Sequence, residues 1–212
     1  MTTHTPRQTP QQTPRHAPGP AESHSSLARK VTDLLDPKTW IIIVALGVGW
    51  HSGHLTGIAW GVFGIAFAAV IPLAIIKRGV RAGRWTDRHL GVRTQRLTVM
   101  AAIITSVTAA VLAMIALGAP RAMLALIAAM LVTLIALMAI TTRWKISVHT
   151  AVSSGAVAML ALTYGPLLLP AYALVALVGW SRIALRDHTT AQVIAGAALG
   201  ALAAATTFAL IS

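Results

Sequence analysis

The chain has 212 residues, of which 56% are hydrophobic and only 10% charged, with a net charge of +12 and no cysteine. Apolar runs of about 20 residues have the length that crosses a bilayer, so the composition excludes a soluble globular protein and implies an all-α, polytopic transmembrane bundle of six or seven spans. The basic residues lie between hydrophobic runs and not on an amphipathic surface, which argues against nucleic acid as a partner, and the lack of cysteine removes disulfides, thiolate metal sites and cysteine nucleophiles.

Residues 1–38 are rich in Pro, Thr, Gln, His and Ser without apolar periodicity. Such a segment buries too little surface to offset the cost of ordering, and it is expected to be a disordered tail; no signal-peptide pattern is visible. Residues 39–212 form the expected transmembrane domain, with spans at about 38–54, 57–76, 97–118, 122–142, 146–163, 167–184 and 190–211. The first span is short and ends in His51-Ser52-Gly53-His54, so Trp40 to Ile76 reads either as a hairpin or as one long broken helix. Trp40, Trp50, Trp60, Trp85, Trp144 and Trp180 fall mostly near span ends, the pattern of an interfacial belt. Gly196 and Gly200, four apart in an apolar helix, predict close helix packing.

Five bases lie in the tail (Arg7, Arg15, Arg29, Lys30 and Lys38) and seven between Lys77 and Arg96. Arg121 stands alone, followed by Arg143 with Lys145 and Arg182 with Arg186. With seven spans, all but Arg121 of the 17 bases share one face, and the positive-inside rule makes that face and the amino terminus the cytoplasmic side of a cell membrane. Three segments converge on it: Lys77–Arg96, Arg143–His149 and Ser181–His188. They combine many Arg and Lys with two histidines, Ser147 and Ser181, and almost no carboxylate. Guanidinium and ammonium groups suit phosphate oxygens, while a neutral histidine can attack phosphorus or pass a proton to a leaving oxygen. The pattern points to a phosphate ester.

The spacing resembles the type 2 phosphatidic acid phosphatase superfamily, whose three-part signature is K-x6-R-P, then P-S-G-H, then S-R-x5-H-x3-D. The third part stands here as Ser181-Arg182-IALRD-His188-TTA-Gln192, the second as Ile146-Ser147-Val148-His149 without Pro and Gly, and the first as Lys77-RGVRAG-Arg84-Trp85 without Pro. The resemblance covers about residues 55–212. It implies that His188 is the nucleophile forming a phosphohistidine, that His149 protonates the leaving alcohol, and that Lys77, Arg84, Arg182, Ser147 and Ser181 hold the phosphoryl oxygens. Spread positive charge around the transferring phosphoryl group fits that division of labour. No metal or other cofactor is implied.

One departure bears on chemistry. Gln192 stands where the family has the Asp that orients the nucleophilic histidine. An amide oxygen can accept an imidazole N–H but brings no charge, and losing the comparable carboxylate of the serine-protease triad costs roughly 10⁴-fold in rate. Asp187 adjoins His188 and is not expected to face it, so Asp87 in the basic loop is the other candidate orienting group. The second Ser-x-His sequence, Ser52-Gly53-His54, precedes the Lys77 segment and is expected at the opposite face as a helix-breaking turn.

Other classes lack their residues. Mg²⁺-dependent lipid transferases need clustered aspartates, and of the five acids Glu22, Asp33 and Asp36 belong to the tail or its end. No G-x-S-x-G occurs, and no ionisable residue stands mid-span to mark a transport pathway. The expected protein is a metal-independent phosphatase of an isoprenyl or phosphatidate-type lipid. The alternative is a non-catalytic lipid-phosphate-binding membrane protein.

Overall fold

The computed structural model describes residues 20–83 and 93–212, and every regular element among them is helical. In order they are α1 (Pro20–Leu34), α2 (Pro37–Ile65), a π-helical turn (Ala66–Val70), α3 (Ile71–Arg81), α4 (Arg93–Ala116), α5 (Arg121–Thr141), α6 (Val148–Tyr164), a 3₁₀ segment (Pro166–Ala171), α7 (Tyr172–Ala184) and α8 (Thr190–Ile211). Five stretches are long and apolar enough to cross a membrane: Ser26–Arg81, Leu97–Ala116, Arg121–Thr141, Pro166–Ala184 and Thr190–Ile211; Val148–Tyr164 is a shorter apolar helix. The chain is therefore a multi-pass membrane protein by its helices.

Ser26–Arg81, with 56 residues, is far too long for one crossing of a hydrocarbon core about 30 Å thick. It folds back on itself. The backbone leaves helical geometry at Gly53 and His54, the latter in the left-handed region at φ 49°. The two limbs of α2 then pack through small residues. A Cβ on Gly49 would stand 2.5 Å from the Gly57 carbonyl oxygen, and one on Gly61 would stand 2.6 Å from that of Ala45. The hairpin alternative is thus the one the chain adopts, with seven passes between the two ends of the bundle among the described residues.

Local chemistry explains the other boundaries. α2 opens with Pro37 after Asp36, whose carboxylate accepts from the Lys38 N–H at 3.0 Å. The π turn displaces the hydrogen-bond ladder, and the Phe67 carbonyl accepts from Ser106 Oγ of α4 at 2.8 Å, which keeps it satisfied within an apolar setting. α6 and α8 pack at backbone distance: a Cβ on Gly196 would meet the Ser147 carbonyl oxygen at 2.5 Å, and one on Gly200 would collide with that of Ala151.

Two expectations change. The second half of the expected tail is the helix α1, because Ala28 and Thr32 are buried against α7 and Thr32 Oγ1 donates to Ser181 Oγ at 3.1 Å. Its order comes from this tertiary contact, since the segment by itself is too polar and short to hold a helix. Trp40 lies inside the core with Val44 and Val48, whereas Trp50, Trp144 and Trp180 are exposed as a belt requires.

Candidate active site

The ends of α1, α3, α5 and α7 and the starts of α2, α4, α6 and α8 meet at one end of the bundle. There a cavity of about 1050 Å³ opens, with Lys38, Lys145, His149, Arg182, Asp187 and His188 at its polar mouth. The third sequence element builds most of that mouth. α7 stops in a Schellman turn: Arg186, at φ 56°, donates to the Ile183 carbonyl at 2.9 Å, and Asp187 donates to that of Arg182 at 3.0 Å. The His188 N–H also reaches the Arg182 carbonyl, at 3.2 Å. The turn therefore fixes Arg182 and His188 relative to one another through the backbone.

Gln192 completes the arrangement. His188 Nδ1 lies 3.0 Å from Gln192 Oε1, and the same Oε1 accepts the Thr189 backbone N–H at 3.3 Å within the capping box that starts α8. An atom that receives a backbone N–H must be the amide oxygen, so Nδ1 is the donor toward it, and in the neutral ring the lone pair falls on Nε2. That is the tautomer a nucleophilic histidine needs. The amide thus orients the ring as a carboxylate would, without adding charge. Asp187 turns the other way, to Arg182, with Oδ2 2.9 Å from Nη2. The Arg182 side chain is 7% exposed, and its buried Nε has no hydrogen-bond partner among the described residues. A donor in that position suits an incoming anion.

His149 occupies the first turn of α6 and lines the same cavity as His188. The two histidines, although far apart in sequence, converge because the Ser147 N–H donates to the Gln192 carbonyl at 3.3 Å and Thr150 Oγ1 to that of Val193 at 3.1 Å. These bonds lock the start of α6 to the start of α8.

Several expected phosphate ligands are engaged otherwise. Ser147 is fully buried; its Oγ caps α6 by accepting from the Thr150 N–H at 3.4 Å, and its own N–H is the one held by Gln192. Ser181 is also fully buried, bonded to the Val178 carbonyl at 2.7 Å and to Thr32. Neither lines the cavity, so both serve structure. Lys77 is exposed on α3 and also absent from the lining, although Ile76 and Val80 of the same helix contribute to it. Arg84 and Asp87 lie outside the described residues.

Two contributions escaped the sequence reading. Lys145 Nζ donates to the Asp187 carbonyl at 2.6 Å, which holds a cation beside His188 with two N–H groups still to offer. In the sequence it stands within the converging Arg143–His149 segment, without being singled out there. Carboxylates are also less scarce than expected, for Asp33 and Asp36 at the corner between α1 and α2 join Asp187 around the mouth. Folding of α1 against α7 brings them there. No group of acids and histidines suited to a metal ion occurs among the described residues.

Comparison with known proteins bears on this end of the molecule. The sequence model of the PAP2 superfamily matches residues 142–212, from the end of α5 through α8. In that segment the chain is similar to the PAP2 superfamily. The segment contains His149, Arg182, His188 and Gln192, and it leaves Lys77 and Arg84 outside. PAP2 superfamily members are phosphatases, which supports phosphatase-type activity here in general. No curated protein and no solved structure gives a match.

Proposed function

We propose that the protein is a lipid phosphate phosphatase working through a phosphohistidine. The observation that carries this reading is the His188–Gln192 pair at the mouth of a cavity shared with His149, Arg182 and Lys145 and walled below by apolar side chains. His188 Nε2 attacks phosphorus while the ester P–O bond breaks, and protonated His149 gives its proton to the departing alkoxide. Water then attacks the phosphohistidine, losing its proton to His149, and phosphate leaves with His188 restored. Arg182 and Lys145 neutralise the equatorial oxygens throughout. Asp187 keeps Arg182 extended toward the mouth before substrate arrives.

A lipid ester, phosphatidate or isoprenyl phosphate, fits a polar mouth over an apolar cavity in a membrane bundle. The mouth faces the cytoplasm on this reading, because Arg121 at the start of α5 marks the opposite end, while Lys38, Arg143, Lys145, Arg182 and Arg186 lie toward the mouth. A reporter fused after Ser212 should then appear outside the cell.

The test is phosphate release by detergent-purified protein from phosphatidate and polyprenyl phosphate with EDTA present. EDTA-resistant release that is lost in His188→Ala supports the reading. A protein that binds both lipids and releases phosphate from neither is the non-catalytic headgroup binder, a reading favoured by the neutral amide at Gln192.

A further inference from the structure

Below its mouth the cavity runs deep into the bundle between α4, α5 and α6. From His149 to Met159, both in its wall, the helical rise gives a depth of about 15 Å, on the order of half of a hydrocarbon core about 30 Å thick. Val107, Met130, Met159 and Ala204 surround its deep end, and Thr133 is the one polar residue along this lower part. Protein interiors are close-packed, with few voids larger than a water molecule. Water gains little in an apolar chamber because it finds too few partners. A hydrocarbon occupant meets neither objection.

Resting on the phosphatase reading above, we infer that this chamber receives one hydrocarbon chain of the phosphate ester and that its deep end sets the chain length the enzyme prefers. Continuity with the mouth selects the substrate's own chain over a bulk bilayer lipid: Arg182 and Lys145 line the same cavity as the apolar wall, so a phosphate held by them sits at its opening. A chain longer than the chamber must bend or leave part of itself outside, so added methylenes stop contributing once the deep end is reached. Val107, 2% exposed, and Met130 project from the middles of α4 and α5, where side-chain volume changes the depth without touching the mouth.

The test measures kcat/KM for butyl, hexyl, octyl, decyl and dodecyl phosphates, each kept below its micelle concentration, with the full-length protein in detergent. In wild type kcat/KM should rise by up to roughly fourfold per methylene and then level off. Val107→Phe should bring the plateau to a shorter chain, and Met130→Ala should move it to a longer one. Opposite shifts cannot arise from a general loss of stability. Phosphate release with no dependence on chain length, or a plateau that neither variant moves, overturns the chamber as a gauge and leaves the phosphatase reading standing. No release from any ester in wild type overturns both.

Discussion

Ser52-Gly53-His54 and Ser147-Val148-His149 present the same Ser-x-His pattern at opposite ends of the bundle. The first is closer to the family's P-S-G-H, yet it makes a turn. Ser52 Oγ donates to the Gly49 carbonyl at 3.0 Å, His54 takes a left-handed backbone, and its ring rests edge-on against Trp50 at 4.9 Å. The second opens a helix that is bonded to α8 and directs His149 into the cavity beside His188. A short motif therefore acquires chemistry from what its flanking helices converge upon, and the glycine that favours the match at Gly53 serves there to reverse the chain.

That contrast can be broken most forcefully at the two histidines. His149→Ala should lower kcat by about 10²- to 10⁴-fold on lipid esters, the usual scale for a general acid. The deficit should shrink for an aryl ester such as p-nitrophenyl phosphate, whose leaving group needs no proton. Equal losses of kcat/KM on both esters would show that His149 does not protonate the leaving group. Gln192→Glu, isosteric with the wild type, adds the missing charge to an unchanged hydrogen bond and should raise kcat at least about tenfold, whereas Gln192→Leu should lower it. A Glu variant no faster than wild type would show that orientation alone is what this position supplies.

Smaller effects sharpen the picture around the phosphate. Removing one charge-assisted donor costs about 1.5 kcal/mol, so Lys145→Ala should lower kcat/KM roughly tenfold, while Lys77→Ala stays within about twofold. The reverse order would return the first sequence element to the site. His54→Ala should leave turnover unchanged, as expected of a residue at the far end, and a large loss there would undo the comparison between the two motifs.

Much of this was legible in the sequence. Hydropathy located the apolar helices as six or seven spans, with the hairpin as one of two readings, because apolar run length and Gly-Ser-His punctuation report directly on membrane crossing. The third element, Ser181 to Gln192, was legible because its residues are joined by one local turn and one capping box, so spacing and geometry coincide. Ser147 and Ser181 misled for the opposite reason. A hydroxyl serves equally as cap, helix back-bond or phosphate ligand, and only the partners at Thr150 and Thr32 decide which. α1 and the carboxylates it brings were hidden because that helix depends on a contact 149 residues away in sequence. Lys145 was counted with the converging Arg143–His149 segment but not singled out, since a base at a span end more usually anchors at the interface.

The most direct test of the central claim is to trap the covalent intermediate. Wild-type protein given phosphatidate carrying a radiolabelled phosphate, then quenched in alkali within a turnover, should hold label that survives alkali and is released by acid, as a phosphoramidate is. The label should be absent in His188→Ala; in His149→Gln it should form only from an ester such as labelled p-nitrophenyl phosphate, whose leaving group needs no proton. Label that persists in His188→Ala, or active enzyme that never becomes labelled, would contradict catalysis through His188.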